Sequence, residues 1–275
     1  MQKLIFMHDI SEYGEYIDRE VIDYINEGQI ETYESFDNHT IIAFDVYEPE
    51  KNDFSSSQIL IYIDLEDIFF ICENEASYSI AEKLFVKAEG NEEALYLFLR
   101  GLFRGGTERL ENLESRVLAL DDAISVSPKS EIAGEIRTLR NEIYKAYKFY
   151  EQMKFILEEI CENDNNLISE NMRRPFENMK NLSIRLFSLS SNLRQFIAQI
   201  KESYRAEIGI EQNKLMRVFT IVTSIFLPLT LIVGWYGMNF KIPEFGWEYG
   251  YAYVTAVCAV VTIIWFVVCK KKKWF

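Results

Sequence analysis

Hydrophobic positions divide the chain into three regions with different periodicities. In residues 1–104, short runs rich in Ile, Phe and Tyr are bounded by Asp, Asn and Ser, a pattern typical of strands in a mixed α/β domain. The runs predict strands at residues 3–7, 40–47, 59–64 and 68–72. Helical spacing predicts helices at residues 78–88 and 92–104. We therefore expect an α+β domain at the N-terminal end.

From residue 107 onward the pattern is almost entirely helical. Thr107 opens one predicted helix, Pro128 interrupts it, and a second helix follows. Pro175 is placed to start a third helix, because proline is tolerated in the first helical turn. The sequence thus predicts a helical hairpin over residues 105–174 and a stalk helix over residues 175–217.

The third helix carries apolar residues spaced alternately by three and four positions. This heptad pattern is typical either of a core helix within one chain or of helices that assemble into a bundle, and its three repeats favour the bundle. No proline follows Pro175 until Pro228, so the helix is predicted to continue into the next apolar segment, spanning roughly 90 Å by residue 233. The seam consists of Met179, Leu182, Leu186, Leu189, Leu193, Phe196 and Ile200.

Two long apolar segments end the chain. Residues 218–240 contain no charged residue in 23 positions, and residues 249–269 contain none in 21. Each is long enough to cross a hydrocarbon core of about 30 Å. Because Gly-Met-Asn-Phe ends the first segment, we expect the spans at residues 218–236 and 249–269. The aromatic residues near the span ends suit aromatic belts at the membrane interfaces, and they are Trp235, Trp247, Tyr249, Tyr251 and Trp274.

The flanking charges predict the orientation of these spans. Lys270, Lys271, Lys272 and Lys273 follow the second span, which predicts a cytoplasmic tail at residues 270–275. The N-terminal apolar run is too short for a signal peptide, so the N-terminal domain is also expected in the cytoplasm. Residues 237–248 then form an external loop, and the protein is a multi-pass protein of the cell membrane.

One face of the first span is mostly small or hydroxylated. Two apolar segments cannot enclose a pore within one chain, so the face serves either helix packing or a pore built by several copies. In a pore, Met216, Phe219 and Leu227 would form hydrophobic constrictions, and Asn213 a polar ring at the cytoplasmic mouth. The face comprises Asn213, Met216, Thr220, Thr223, Leu227, Thr230 and Gly234.

Composition narrows the chemistry of the protein. The net charge is −14, while residues 218–275 carry five Lys and two Glu, so residues 1–217 are strongly acidic. An acidic domain is unsuited to nucleic acid and suits cations. With only His8, His39 and four scattered cysteines, a zinc site or a disulfide framework is not indicated. Oxygen ligands for hard cations such as Mg²⁺ remain.

The loop after the first span offers such oxygen atoms. In a ring of copies, the Asn239 side-chain carbonyls would converge at the external end and bind the hydration shell of Mg²⁺, an ion that releases water reluctantly. Gly237 permits a tight turn or a positive φ at the helix end. Glu244 would add a ring of negative charge that concentrates cations.

These residues carry a resemblance to a known family. The first span lies in the stretch RVFTIVTSIFLPLTLIVGWYGMNF, which ends in Tyr236-Gly237-Met238-Asn239-Phe240 and is followed by Pro243-Glu244, Trp247 and the terminal lysines. With these features, the C-terminal part of the chain resembles the CorA family of magnesium transport proteins. The close match covers roughly residues 205–275, and the remainder agrees in architecture. The Gly-Met-Asn tripeptide alone would be a weak signal, but its position and flanks make it specific.

The resemblance implies a homopentameric channel that moves Mg²⁺ inward, with Co²⁺ or Ni²⁺ as competing cargo. It implies that Gly237, Met238 and Asn239 form the external selectivity entrance and that the polar face lines the pore. The four terminal lysines correspond to the family's basic ring. Which of Phe219 and Thr220 points inward stays open.

The resemblance also implies that cytosolic Mg²⁺ closes the pore by bridging acidic residues of neighbouring copies. Here the sequence departs from the family, because Asn178 stands where an aspartate is expected. The remaining acidic candidates are Glu177 and Glu202 on the stalk and Asp64, Glu66 and Asp67 on the domain, where an acidic loop is more often solvated surface. Lys241 stands where an acid is common in the external loop, which weakens cation attraction.

The leading interpretation is a passive Mg²⁺ uptake channel gated by cytosolic Mg²⁺ and driven by membrane potential. Mg²⁺ is both cargo and regulator, and no organic cofactor is expected, since no phosphate-binding loop occurs. One alternative keeps the architecture but carries Zn²⁺, Co²⁺ or Ni²⁺, with proton coupling in the zinc case. Another is a membrane-anchored sensor or tether without ion flux. No catalytic constellation indicates an enzyme.

Overall fold

The computed structural model describes residues 1–17, 19–27, 32–47, 56–124, 129–238 and 246–271. The chain forms two compact units, Met1–Glu202 and Ser203–Phe275. The strands are β1 Gln2–Phe6, β2 Tyr33–Ser35, β3 His39–Tyr47, β4 Ser56–Asp64 and β5 Ile68–Cys72. The helices are α1 Arg19–Glu27, α2 Glu75–Leu84, α3 Asn91–Phe103, α4 Gly106–Ala123, α5 Lys129–Glu162, α6 Glu170–Tyr236 and α7 Gly250–Lys271. A 3₁₀ helix covers Met7–Tyr13.

The N-terminal unit is built on a five-stranded sheet in the order β1-β5-β4-β3-β2. β1 pairs with β5 in parallel, and the other pairs are antiparallel. Alternate side chains point to opposite faces. Ile41, Leu60 and Ile71 pack in the core with the 3₁₀ helix and α1. On the other face, Phe70 contacts Phe98 of α3 with ring centroids 4.4 Å apart. The sheet is thus covered on both sides.

The structure corrects several predicted element boundaries in this unit. The 3₁₀ helix, α1 and β2 were not predicted. The 3₁₀ helix and β2 are short, whereas α1 does carry an apolar helical face that was not recognised in the sequence and consists of Val21, Ile22 and Ile25. The helix predicted at residues 78–88 is Glu75–Leu84. It starts early because the Asn74 side chain accepts hydrogen bonds from the backbone N–H groups of Ala76 and Ser77.

The stalk helix also begins earlier than Pro175. α6 starts at Glu170, since the carbonyl of Ser169 accepts hydrogen bonds from the N–H groups of Met172 and Arg173. Ser169 is itself fixed by Glu92 of α3, whose carboxylate accepts from the Ser169 backbone N–H at 2.6 Å and hydroxyl at 2.7 Å. Pro175 therefore lies in the second turn, where it removes one helical hydrogen bond.

The heptad face of α6 is shifted from the predicted seam. Met179, Leu186, Leu193 and Ile200 are buried as part of one face. Leu182 is 36% exposed, and Leu189 and Phe196 are half-buried at its edge. The remaining buried members are Phe176, Ser183, Ser190 and Ile197.

This face packs within the chain. Phe176 contacts Tyr96 of α3 edge-to-face at 5.6 Å between centroids. From the flank of the same face, Arg194 lies 4.1 Å over the ring of Tyr147 of α5. The core-helix interpretation of the heptad pattern therefore holds for this part of α6.

Candidate ion pathway

Two helices of the C-terminal unit have the length and composition of membrane spans. The apolar window of α6 has a mean hydropathy of 2.1 and that of Gly250–Val268 in α7 has 2.2. Neither window is buried within the protein, which separates both from the core helices of soluble proteins. Large side chains such as Phe226, Leu231 and Ile263 are 62–69% exposed. Exposed apolar surface of this extent is suited to lipid or to other copies of the chain.

The two helices contact one another through a defined pair of faces. Trp265 Nε1 of α7 donates a hydrogen bond of 3.0 Å to Ser224 Oγ of α6. The Ser224 hydroxyl in turn donates to the carbonyl of Ile221 at 2.9 Å. The least exposed positions of α6 in this region share that face and are Ile221, Ser224, Ile225, Pro228, Leu229, Ile232 and Tyr236.

The predicted pore face lies on the other side of α6. At about 100° per residue, the mean direction of Met216, Thr220, Thr223, Leu227, Thr230 and Gly234 is about 160° from the face that contacts α7. All six are exposed in the chain, as are Asn213 and Phe219. Packing against α7 therefore does not account for the small and hydroxylated residues, because α7 uses the opposite face.

The local geometry of this face combines polar atoms with apolar ones. Thr220 Oγ1 donates to the carbonyl of Met216 at 2.8 Å, and the hydroxyl oxygen keeps its capacity to accept hydrogen bonds. Towards the C-terminal end of α6 the surface forms an open groove, in which Gly234 has no atom near the place a Cβ would take. The groove is lined by Thr223, Phe226, Leu227, Thr230, Leu231, Gly234, Trp235 and Met238.

Gly237 ends α6 by close approach and not by a positive φ. Its N–H donates to the carbonyl of Val233 at 2.8 Å, and a Cβ would lie 3.1 Å from that oxygen. Among the described glycines only Gly105 has a positive φ, so of the two predicted alternatives at Gly237 the structure shows a tight turn and not a positive φ. Met238 follows, with its N–H donating to Trp235 at 3.3 Å. Asn239 and Glu244 lie outside the described residues.

The basic end of α7 is described in part. α7 extends through Lys270 and Lys271, both exposed, and Lys272 and Lys273 lie outside the described residues. At the other end of α7, Trp247 contacts Tyr253 at 6.0 Å between centroids, and Tyr251 is 88% exposed. Amphipathic aromatic rings at the start and lysines at the end are the pattern of a membrane-spanning helix.

Asp64 and Asp67 have structural partners in the turn between β4 and β5. Asp64 Oδ1 accepts from the N–H groups of Glu66 at 2.8 Å and Asp67 at 2.6 Å, and Oδ2 accepts from Tyr62 at 2.9 Å. The Asp67 carboxylate binds the N-terminal amino group of Met1. These contacts hold the hairpin together and give both carboxylates protein partners.

The two acidic residues of the stalk that were predicted as regulatory metal ligands lie on α6, far from that turn in the sequence. Glu177 Oε1 is 3.6 Å from Arg173 Nε one turn earlier on α6, and Glu202 is exposed further along the same helix. Within the described residues of one chain, no group of three or more acidic, His or Cys side chains is arranged to hold a metal ion. His8 is exposed beside Asp9, and His39 stacks on Phe36 and Tyr62.

The pair of Ser224 and Trp265 was not identified from the sequence. Aromatic residues near the span ends were assigned to interfacial belts, whereas Trp265 lies five residues before the lysines. The signal was available, because a Trp inside a span needs a partner for its N–H, and Ser commonly supplies one across membrane helices.

Known proteins share this architecture over nearly the whole chain. The family described as CorA-like Mg²⁺ transporter protein matches residues 11–271. The cobalt/magnesium transport protein CorA of Thermotoga maritima is 24% identical over 262 residues, covering 92% of this chain and 75% of the relative. The magnesium transport protein CorA of Helicobacter pylori is 42% identical over 76 residues, covering 27% of this chain and 24% of the relative.

A solved structure shows the same fold. The CorA magnesium transporter of Methanocaldococcus jannaschii has a TM-score of 0.73 at 20% identity, covering 98% of this chain and 87% of that chain. The agreement includes the α/β domain, the long stalk helix and the C-terminal apolar helix. With the family match and two membrane-spanning helices, this chain belongs to the CorA-like Mg²⁺ transporter family, a family of divalent-metal transporters and not of enzymes.

Proposed function

We propose that several copies of this chain, five by family resemblance, form a passive channel that carries hydrated Mg²⁺ into the cell. The observation that carries the proposal is the orientation of α6: its small and hydroxylated face points away from α7, whereas an apolar face and Ser224 contact α7. A face of this kind avoids lipid and is expected to line an axis shared by copies. One chain supplies one wall of such a pore.

The residues along this wall suit a hydrated cation at each level. Asn213 offers a polar ring at the cytoplasmic end, and Thr220, Thr223 and Thr230 offer hydroxyl oxygens. Leu227 and Met216, with Phe219 beside it, would narrow the pore with apolar rings that dewet when it closes. We infer that Gly237, Met238 and Asn239 form the entrance, where Asn239 carbonyls bind the water shell of the ion and Glu244 concentrates cations.

The proposed topology gives the driving force. Lys270 and Lys271 follow the apolar part of α7 and favour a cytoplasmic end, so an even number of spans keeps the acidic unit in the cytoplasm. A doubly charged ion entering across 100 mV of inside-negative potential gains about 4.6 kcal/mol. No coupled reaction is needed for uptake at that magnitude.

We propose further that cytosolic Mg²⁺ closes the pore through carboxylates of neighbouring copies. Asp64 and Asp67 are bound to their own hairpin and to the N-terminus, which disfavours them as ligands. Glu177 and Glu202 lie on the helix that continues into the pore face, so an ion bound between copies at either position would restrain that helix. Asn178, exposed beside Glu177, can add a carbonyl oxygen.

A second cargo has one observation in its favour. The Thermotoga maritima relative is named a cobalt/magnesium transport protein, so Co²⁺ is the first competitor to test. The proposal predicts that Co²⁺ competes with Mg²⁺ at the same entrance.

The experiment is Mg²⁺ influx into proteoliposomes with low or high internal Mg²⁺. Wild type is compared with the double variant Glu177→Gln/Glu202→Gln and with Glu207→Gln, a control on a half-buried position of the same helix. We expect internal Mg²⁺ to inhibit wild type and the control, and to inhibit the double variant less. Equal inhibition of all three would refute these residues as the regulatory site, while absence of influx in wild type would refute the channel.

A further inference from the structure

The N-terminal unit contains a cavity that the proposed ion pathway does not use. It has a volume of about 590 Å³ and lies among β3, α2, the start of α4 and the middle of α5. Small-molecule sites commonly have volumes of roughly 300–1,000 Å³, with apolar walls and a few converging polar groups. The cavity fits that description, because Leu84, Phe149 and Tyr150 supply apolar and aromatic surface.

Basic side chains are concentrated around this cavity. Arg104 and Arg109 are exposed at its mouth, and Lys145 is only 9% exposed in its wall. Such a concentration is unusual for this chain, whose net charge is −14. The three groups provide the donors that bind phosphate or carboxylate oxygens.

The two acidic residues of the cavity wall offset this charge only in part. Glu142 Oε2 accepts a 2.6 Å hydrogen bond from Arg116 Nη1, and this bond is the main reason that the pKa of Arg116 is raised. Because its charge is already paired outside the cavity lining, Glu142 competes little for an arriving anion. Glu108 lies in the first turn of α4, where a carboxylate interacts with the helix dipole.

The backbone adds positive potential at the same place. Gly105 precedes α4 with φ of 72° and offers no side chain to cap the helix. The first N–H groups of this 18-residue helix therefore have no side-chain cap at that position, and Gly105 and Glu108 of the same segment line the cavity. Tyr150 of α5, whose hydroxyl packs closely against Gly106 at the start of α4, has a raised pKa because it is buried, and Arg109 acts against that rise. An aromatic ring and a guanidinium thus line the same cavity, as needed for a flat molecule with an anionic end.

From this combination we infer that the cavity binds a small amphipathic organic anion, a planar apolar body bearing one phosphate or carboxylate group. The anionic end contacts Arg104, Arg109 and Lys145, and the planar body lies against Phe149 and Tyr150. The site belongs to the N-terminal unit, and none of its residues is among those of the proposed ion path. It would let the transporter bind a metabolite independently of Mg²⁺.

The test is isothermal titration calorimetry on the full chain in neutral detergent, with phenyl phosphate and benzoate as probes. Inorganic phosphate and phenol are the matched probes for charge alone and ring alone. We expect one of the anionic aromatic probes to bind more tightly than both, and the better of the two identifies the anionic group. The inference would be overturned if phenol bound as tightly as the better aromatic anion, or if neither aromatic anion bound up to millimolar concentration.

Two variants with matched controls locate the binding. Ala146→Leu fills the cavity from α5, and Ala133→Leu places the same side chain on an exposed position of that helix. Arg109→Gln removes a cavity guanidinium, and Arg137→Gln removes an exposed one from α5. We expect Arg109→Gln to weaken binding about tenfold, since charge-assisted hydrogen bonds are lost. Ala146→Leu should abolish binding, and the two controls should bind as wild type.

Equal binding by the cavity variants and their controls would overturn the site. Arg109 is exposed and its replacement does not disturb the core, so this arm decides the question if Ala146→Leu fails to fold. Mg²⁺ influx is measured separately, and a non-conducting wild type that still binds the probe would refute the channel without refuting the cavity site.

Discussion

Ser224 of α6 accepts a hydrogen bond from the indole N–H of Trp265 of α7, with 3.0 Å between Oγ and Nε1. The bond fixes which face of the first span contacts the second. Because the Ser224 hydroxyl also donates to the carbonyl of Ile221, its orientation is set from both sides. The face with Thr223 and Thr230 is consequently turned away from α7, and the channel proposal rests on that rotation.

The first prediction concerns this pair. Ser224→Ala and Trp265→Phe each remove one partner and should destabilise the packing of the two spans. Membrane hydrogen bonds of this type average about 0.6 kcal/mol and reach about 1.7 kcal/mol. A double-mutant cycle on thermal unfolding in detergent should give a coupling energy in that range. Thr255→Val is the control, since the Thr255 hydroxyl donates to the carbonyl of Tyr251 within its own helix. Additive effects would contradict the assigned contact.

A second prediction distinguishes the two sides of α6. Thr223→Leu adds an apolar group on the proposed pore face and should lower Mg²⁺ influx about tenfold or more, equivalent to about 1.4 kcal/mol of added barrier. Val222→Leu makes a similar enlargement at the preceding residue, whose side chain points about 100° away from that of Thr223 around the helix axis. Influx should remain near wild type in that control. If both variants conduct equally well, Thr223 does not line the pore.

The third prediction separates structure from regulation in the hairpin between β4 and β5. Asp67→Asn weakens the contact with the N-terminal amino group, and a hydrogen bond to a charged group contributes about 1.5–3 kcal/mol. The free energy of unfolding should fall by an amount of that order, while inhibition by internal Mg²⁺ stays unchanged. Glu66→Gln, on an exposed neighbour, should change neither property. Loss of inhibition in Asp67→Asn without loss of stability would assign the residue a regulatory role instead.

The elements that the sequence predicts well are those whose burial pattern is decided locally. β5 is an unbroken apolar run, and the structure buries all five residues of Ile68–Cys72. Both membrane spans were recognisable from length and lack of charge, and α6 ends at Tyr236, where the sequence suggests a stop. In each case the burial of the segment, or its exposure to lipid, follows directly from its residue types.

Features that depend on distant partners were missed or displaced. The start of α6 is fixed by Glu92, 77 positions before Ser169, so Pro175 was a misleading signal. The residues of the predicted heptad seam divide between a buried face of α6 and its more exposed edge. Contacts with Tyr96 and Tyr147 decide which side of the helix is buried. The rotation of the first span depends on Trp265, 41 positions after Ser224. Such pairings are not visible in periodicity.

The central claim is tested most directly by Mg²⁺ influx into proteoliposomes carrying wild type, Asn239→Ala or the control Asn181→Ala, at low internal Mg²⁺. The account predicts that wild type and Asn181→Ala conduct, because Asn181 is exposed on α6 and belongs neither to the proposed pore face nor to the proposed regulatory ligands. Asn239→Ala should lose influx, because the carbonyl ring that binds the hydrated ion is gone. Undiminished influx in Asn239→Ala, or no Mg²⁺ influx in wild type, would contradict it.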